Sequence, residues 1–214
     1  MNYICICTIL YQFPNNYNML PEGIIDQIRL KFKHQLPEEF LEELQKNALL
    51  IELKKGEILF SDQAKRNRVF VIIDGSLVRF IVTPEGANRA TMFHTEALFP
   101  MIGNNFENVE GSNLSYYIKA NENAKLIEFK RDFALHCIEK YPFLAKTSFM
   151  NMIDYFQTHH IIQNHLIALS SIDFFQWFLM QYGFIFKRFQ SQDIASFMGI
   201  TPEWFSKLKR KANK

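Results

Sequence analysis

The sequence predicts an α+β fold: an antiparallel double-stranded β-helix (jelly-roll) barrel, then a long helix and a small all-α helix-turn-helix domain. Three observations support this fold class. Short β-rich runs separated by turn residues occupy about 48–130. The stretch 143–168 carries apolar residues at helical spacing without a Pro or Gly. Residues 191–208 have the pattern of two short helices joined at a glycine.

Composition describes an ordinary globular chain of one or two domains. The 214 residues are 48% hydrophobic and 21% charged, with a net charge of +2, so the chain is neither disordered nor strongly basic as a whole. Its charge is uneven, because the end of the chain has five cations and no acid: Lys207, Lys209, Arg210, Lys211 and Lys214. Such an end suits phosphate contact, although a solvated tail has the same composition.

Cysteine usage and hydropathy suggest the compartment. Three cysteines are too few for a disulfide framework, and Cys5 and Cys7 lack the spacing and second pair of a zinc site, so we expect a cytoplasmic protein without metal or cofactor. No apolar run reaches the roughly 18 residues of a membrane span. The apolar residues 1–10 lack the basic start and cleavage site of a signal peptide, and either Met1 or Met19 is compatible with the true start.

The predicted domain order starts with an extension at 1–20, followed by a sensor barrel with flanking helices at 21–142. Helical spacing covers 22–47 with an interruption at Pro37. At least seven strands follow, and Asp74-Gly75 predicts a hairpin between 69–73 and 76–82. A second pairing is predicted between 114–120 and 124–129.

The stretch 95–113 interrupts the barrel as a long irregular insertion rich in Asn, with Pro100, Gly103 and Gly111. Long segments of this kind inside compact domains are usually functional, so it is the natural place for a small-molecule effector site. The candidate effector-pocket residues are Phe99, Met101, Gly103, Leu114 and Tyr116.

The helix at 143–168 is longer than one small domain needs, which predicts a dimerisation helix that pairs with its copy in a homodimer. Burial within one chain is the alternative. The remaining 169–214 form the helix-turn-helix domain, beginning with a strongly apolar helix at 171–182.

The segment SQDIASFMGITPEWFSKL has the residue types that two closely crossing helices require. Ser191 is predicted to cap the first helix, Gly199 to close it in a left-handed conformation, and Thr201-Pro202 to start the second. An ordinary helical hairpin is the alternative to a DNA-binding motif. The expected helix-turn-helix core is Ile194, Ala195, Met198, Gly199, Ile200, Phe205 and Leu208.

The second helix would enter the major groove of double-stranded DNA. Trp204 is expected to face DNA together with the residues named below. Glu accepts from cytosine N4 and Lys donates to guanine, so the candidates for base contact are Glu203, Ser206 and Lys207. The candidates for phosphate contact are Thr201, Lys209, Arg210 and Lys211.

Several segments together resemble the Crp/Fnr family of transcription regulators: LKKGEILF (53–60), VFVIIDGSLVRF (69–80), the KA of YYIKA (116–120), LIEFKRDF (126–133) and QDIASFMGITPEWFSKLKRK (192–211). The family's E-x-x-S-[R/K] recognition run is matched by Glu203, Ser206 and Lys207. The ending without a β wing is similar to a short Bacteroidetes-type subgroup. The resemblance implies a cyclic-nucleotide-binding-like barrel, DNA binding as a dimer, and RNA polymerase as a further candidate partner.

The family's cyclic-phosphate cassette is not matched. Its Arg would fall near Leu114, and no Arg lies between Arg89 and Arg131. A buried phosphate without a counter-charge is poorly solvated, so we expect an unidentified effector other than cyclic AMP, or none.

Two other function classes compete with a regulator. A barrel enzyme would need His ligands with a carboxylate, but His94 is the single His in a predicted strand, so we expect no enzyme. A barrel-based small-molecule-binding or protein-interaction module that has lost DNA binding is the alternative, and an exposed Trp204 would favour it.

Overall fold

A computed structural model describes residues 20–31, 36–61, 67–103 and 115–212. The chain forms two compact units, 1–49 and 50–214. Within the described residues there are seven helices and eight strands.

The first unit contains two short helices, α1 (Glu22–Lys31) and α2 (Glu38–Asn47), on either side of the predicted interruption at Pro37. In α2 the apolar residues Phe40, Leu41 and Leu44 are buried, as the sequence pattern predicts, and the acids are exposed apart from the half-buried Glu43. Arg29 of α1 donates to Glu38 of α2 at 2.8 Å.

The barrel consists of two four-stranded antiparallel sheets. One has the strand order β1-β8-β3-β6 and the other β2-β7-β4-β5. This arrangement confirms the predicted α+β jelly-roll class. The strands are β1 (Ala48–Leu53), β2 (Ile58–Ser61), β3 (Arg68–Asp74), β4 (Ser76–Val82), β5 (Asn88–Thr95), β6 (Met101–Gly103), β7 (Tyr116–Ala120) and β8 (Ala124–Lys130).

Two predicted hairpins are wrong, although their strands exist. β3 pairs with β6 and β8, whereas β4 pairs with β5 and β7, so Asp74-Gly75 is a corner between sheets. The turn between β7 and β8 is a corner as well. Gly75 has φ +100°, and a Cβ there would lie 2.5 Å from Cα of Ala124, so the two corners touch. A local turn signal specifies a reversal of direction but not the partner strand.

The stretch 95–113, predicted to be irregular, contains the short strand β6, which pairs with β3. A strand of three residues has too little pattern to be recognised by alternation. Residues 104–113 of that stretch lie outside the described part of the chain.

The helices of the second unit follow the predicted order: α3 (Arg131–Lys140), α4 (Pro142–Ala168), α5 (Ser171–Arg188), α6 (Ser191–Phe197) and α7 (Pro202–Ala212). Helix α5 extends six residues past the predicted end at 182 and is kinked at Tyr182, where φ is −128° and ψ is 39°. Among the described helices, none has the length and apolarity to cross a membrane.

Two hydrophobic clusters of described residues lie in the second unit. One fills the barrel interior around Phe60, Phe70 and Tyr116. The other joins Phe80 and Phe93 of the barrel to the buried residues of α5, α6 and α7. The helix-turn-helix therefore shares a continuous core with the β4–β5 side of the barrel.

Candidate nucleic-acid interface

The turn between α6 and α7 is built by Gly199, as the sequence predicts. Gly199 has φ +66°, the left-handed conformation that favours glycine. Its N–H donates to the carbonyl of Ser196 at 3.1 Å, and the N–H of Ile200 donates to that of Ala195 at 3.0 Å. This pair of bonds is the Schellman motif, which ends α6 and redirects the chain.

Helix α7 begins at the predicted cap. The Thr201 hydroxyl accepts from the N–H of Trp204 at 3.2 Å, and Pro202 is the first helical residue. The predicted cap of α6 is wrong by one position: Gln190 is the N-cap, without a side-chain hydrogen bond, and Ser191 is already helical.

The predicted motif core is gathered into one place. Five of its side chains are buried, Ile200 is half-buried and Gly199 forms the turn; the buried ones are Ile194, Ala195, Met198, Phe205 and Leu208. The ring of Phe205 packs on those of Phe175 and Phe186, with centroids 5.5 and 6.0 Å away. The two helices of the motif thus pack on aromatic rings of α5.

The opposite face of α7 is polar and exposed. The predicted base-contact residues Glu203, Ser206 and Lys207 are all exposed. So are the predicted phosphate-contact residues Thr201, Lys209, Arg210 and Lys211.

Helical spacing further divides this exposed surface. Arg210 lies seven residues after Glu203 and therefore shares its face, together with Ser206 and Lys207. Lys209 and Lys211 lie on the two flanks of that face. One row of the exposed face therefore carries both an acidic and basic side chains, with further cations on either side of it. The remaining C-terminal cation, Lys214, lies outside the described residues.

Trp204 departs from the prediction that it faces outward. Its side chain is half-buried against the shared core, and its indole N–H donates to the Ser171 hydroxyl at 3.0 Å. Trp204 thus attaches the start of α7 to the start of α5. An exposed aromatic at this position, which would favour a protein interface, is not what the structure shows.

Sequence reasoning missed the contacts that hold the motif on the barrel. The hydroxyl of Ser196 in α6 accepts from the N–H of Ala90 in β5 at 3.1 Å. Phe93 of β5 packs on Phe189 and Phe197, with ring centroids 4.7 and 5.2 Å apart. The many Phe residues in this region predict burial. They do not identify the surface on which they are buried, because Phe93 and its partner rings lie about 100 positions apart in the sequence.

A cluster of ion pairs adjoins these contacts. Arg188 donates through Nε to Glu122 at 2.6 Å and through Nη1 to Glu96 at 2.8 Å. Hydrogen bonds, first to Glu96 and then to Glu122, hold the pKa of Arg188 above its usual range. No local sequence signal identifies this Arg, because its partners follow two different barrel strands.

The described effector-pocket candidates are not brought together in one cluster. Phe99 belongs to the shared core and contacts Tyr155 of α4, with ring centroids 4.9 Å apart. Tyr116 belongs to the barrel-interior cluster, and the Arg79 guanidinium lies 4.5 Å from its ring centroid. Met101 is exposed and Gly103 half-buried on β6, while Leu114 lies outside the described residues.

A narrow apolar crevice lies beside β5, between α4, α5 and α6. Phe99 lines it with Met92 and Phe178, and its polar lining includes His159 and Gln163. Burial lowers the pKa of His159, so this imidazole favours its neutral form more than a solvated one would.

The histidines do not form a metal centre in the part of the chain that the structure describes. His94 is buried in β5, where its Nδ1 lies 2.9 Å from the carbonyl of Phe99, which can only accept; Nδ1 therefore carries the proton. Burial lowers the pKa of His94 to about 4. His165 stacks on Trp177, with ring centroids 3.9 Å apart.

Neither a scan against protein-family models nor a search of curated proteins finds a match for this chain. Solved structures do match. A variant of CooA from Carboxydothermus hydrogenoformans has a TM-score of 0.66 and 14% identity, over 86% of this chain and 82% of that one. FixK2 from Bradyrhizobium japonicum has a TM-score of 0.63 and 14% identity, over 78% and 84%.

A third structure is described as a transcriptional regulator of the Crp/Fnr family, from Eubacterium rectale. It has a TM-score of 0.62 and 14% identity, over 84% of this chain and 85% of that chain. The barrel, the long helix and the terminal motif therefore form the fold of Crp/Fnr-type regulators.

Proposed function

We propose that this chain is a sequence-specific, double-stranded-DNA-binding transcription regulator of the Crp/Fnr type. The observation that carries the proposal is the geometry of residues 191–212: two crossed helices, a Schellman turn at Gly199, and an exposed polar face on the second helix. The family resemblance and the shared fold support the same conclusion. Its place of action would be the cytoplasm, where the DNA is.

The exposed face of α7 supplies the chemistry of base reading. A carboxylate at Glu203 can accept from cytosine N4, and an ammonium at Lys207 can donate to guanine O6 and N7. Lys is a point charge without the two-pronged geometry of Arg, so its base preference is less tightly defined than that of the commoner family residue. Lys209 and Lys211, on the flanks, suit phosphates.

A homodimer through α4 fits its surface. This helix has 27 residues and is about 40 Å long. One side packs on the shared core through Ile162, whereas an apolar stripe on another side is exposed in the single chain. The stripe consists of Phe149, Met152, Phe156 and Ile167, each about half exposed or more.

The spacing of the stripe favours a second copy of the same helix as its partner. Phe149, Met152 and Phe156 are separated by three and four residues, which is the spacing of a coiled-coil seam. Helix α4 also carries few charges, mainly Lys146 and Asp154, which suits a buried contact. Light scattering should give the mass of a dimer at micromolar concentration, and a monomer would contradict the assignment.

The barrel would sense an effector that is not cyclic AMP, or none. Its described interior is filled by side chains such as Phe60 and Phe70, whose rings stack at 5.5 Å. Glu96, directly after β5, is paired with Arg188. Titration calorimetry with cyclic AMP should show no saturable heat at micromolar concentration.

RNA polymerase is a further proposed partner, which the family resemblance suggests.

Selection of bound sequences from random double-stranded DNA tests the function. A regulator should enrich a two-fold symmetric site with half-sites about 34–36 Å apart, or a multiple of that distance. Its affinity should fall by orders of magnitude between about 50 and 200 mM salt, because phosphate contacts release counterions. Absence of enrichment together with salt-independent binding would favour the interaction module instead.

A further inference from the structure

Arg188 hydrogen-bonds to the barrel through both its side chain and its main-chain carbonyl. Its guanidinium reaches Glu122 at 2.6 Å and both carboxylate oxygens of Glu96 at 2.8 and 3.0 Å. Its main-chain carbonyl accepts from the side-chain amide of Asn121 at 3.0 Å. The last residue of α5 is thus fixed in direction as well as in position.

The acceptors of Arg188 are themselves held in place. Glu122 accepts from the Ser76 hydroxyl at 2.7 Å, and that hydroxyl accepts from Asn121 at 2.9 Å. Asn121 and Ser76 are buried. Because the anchor is a hydrogen-bonded network at the β3–β4 and β7–β8 corners, it offers Arg188 a preorganised site.

The position of Arg188 allows it to influence the orientation of the DNA-binding motif. It lies three residues before α6, so any rotation at this point is transmitted to α6 and α7. The neighbouring contact between Phe189 and Phe93 is apolar, and apolar packing favours proximity without strongly selecting one direction. Charge-assisted hydrogen bonds are directional and supply that selection.

We propose that Arg188 is a positioning residue that fixes the separation of the two recognition helices in the dimer, and thereby the half-site spacing that the protein accepts. This inference rests on the proposed function. Inserting one base pair between half-sites displaces one of them by about 3.4 Å and also rotates it about the DNA axis. A rigidly held motif cannot follow that displacement, whereas a loosened one can.

The test compares Arg188→Gln with Lys187→Gln in the full-length protein. Lys187 is adjacent, exposed and has no ion pair among the described residues, so its variant removes the same charge without touching the network. Affinity is measured by fluorescence anisotropy on the selected site and on versions with one base pair added to or removed from the spacer. Single-base changes within a half-site are measured in parallel.

Wild type and Lys187→Gln should reject the altered spacers. Arg188→Gln should lose about tenfold of that discrimination, while keeping its preference among bases within each half-site. A merely structural role would weaken all DNA alike. Unchanged spacer discrimination in Arg188→Gln would overturn the proposal. If Arg188→Gln does not fold, Glu96→Gln is used instead, because it weakens the same ion pair at a half-buried carboxylate.

Hydrogen exchange without DNA separates this inference from the proposed function. The N–H of Ala90 donates to Ser196 of α6, so its protection reports whether α6 is docked on β5. Exchange at Ala90 should be faster in Arg188→Gln than in Lys187→Gln, and equal rates would overturn the anchoring role. If wild type binds no DNA while this difference persists, the regulator assignment fails and the spacing role fails with it, but the anchor stands.

Discussion

Helices α6 and α7 belong to one motif but direct their side chains to different tasks. Helix α6 has seven residues, of which Ile194, Ala195 and Phe197 are buried, and its Ser196 bonds to the barrel. Helix α7 buries Phe205 and Leu208 and leaves a polar face exposed. Under the proposed function, DNA recognition belongs to the exposed face of α7, whereas the buried faces of both helices contribute to stability, so substitutions should separate the two effects.

The largest separation is expected from truncating Phe197 of α6, whose ring packs on Phe93 and Phe178. Phe197→Ala should lower the free energy of unfolding by about 3–5 kcal/mol, because it leaves a cavity between barrel and motif. Phe184→Ala, at a ring that is 40% exposed, should cost about 1 kcal/mol or less. Urea unfolding measures both, and equal losses would contradict the packing role of the Phe197 ring between the barrel and α6.

Acidification should lower the free energy of unfolding through His94, which lies in β5, the strand that α6 contacts. His94 has a pKa of about 4 in the folded protein, against a reference of 6.5. Between these values the unfolded chain binds more protons, so stability should fall by about 1.4 kcal/mol per pH unit on acidification, and by about 3 kcal/mol in total. His94→Asn, which keeps a donor near Nδ1, should flatten this dependence.

The matched control for acidification is His136→Asn, at an exposed position of α3. Because His94 is unchanged in this variant, its contribution to the pH dependence between pH 6.5 and 4 should persist. If His94→Asn and wild type show the same slope, the buried imidazole is not the source of the acid sensitivity.

On the recognition side, two lysines of α7 should have different effects on DNA with little effect on stability. Lys207→Ala should relax the preference at one base pair by about 1–3 kcal/mol. Lys211→Ala should weaken all sequences alike and lower the salt slope by about one. Anisotropy on matched and mismatched sites measures both, and identical profiles would contradict the assigned roles.

The smallest effect is expected where the two helices meet. Gly199 has φ +66° and open space around its missing Cβ, so Gly199→Ala is opposed by backbone conformation alone, at about 1 kcal/mol. Gly199→Asn should cost less, because Asn tolerates this conformation. Thermal unfolding compares the two, and a larger loss for Asn would point to a steric cause instead.

The candidate site illustrates how far local patterns reach. The motif core from Ile194 to Leu208, the left-handed Gly199 and the cap at Thr201 follow from residue types at fixed short spacings; in the structure the core side chains are mostly buried, Gly199 has a positive φ and Thr201 accepts from the N–H of Trp204. Trp204 was misjudged because its partner, Ser171, lies 33 residues away. The effector-pocket candidates were grouped by their place in the sequence, and the structure separates Phe99 from Tyr116.

The sequence by itself determined the order and approximate position of most helices and strands and which faces are apolar, because those properties depend on hydrogen bonds and spacings within a few residues. It could not determine that Asp74-Gly75 joins two different sheets, or that Arg188 meets Glu96 and Glu122. Such pairings depend on which surfaces arrive together when the whole barrel closes. The tertiary structure alone decided that the helix-turn-helix packs on the β4–β5 side of the barrel.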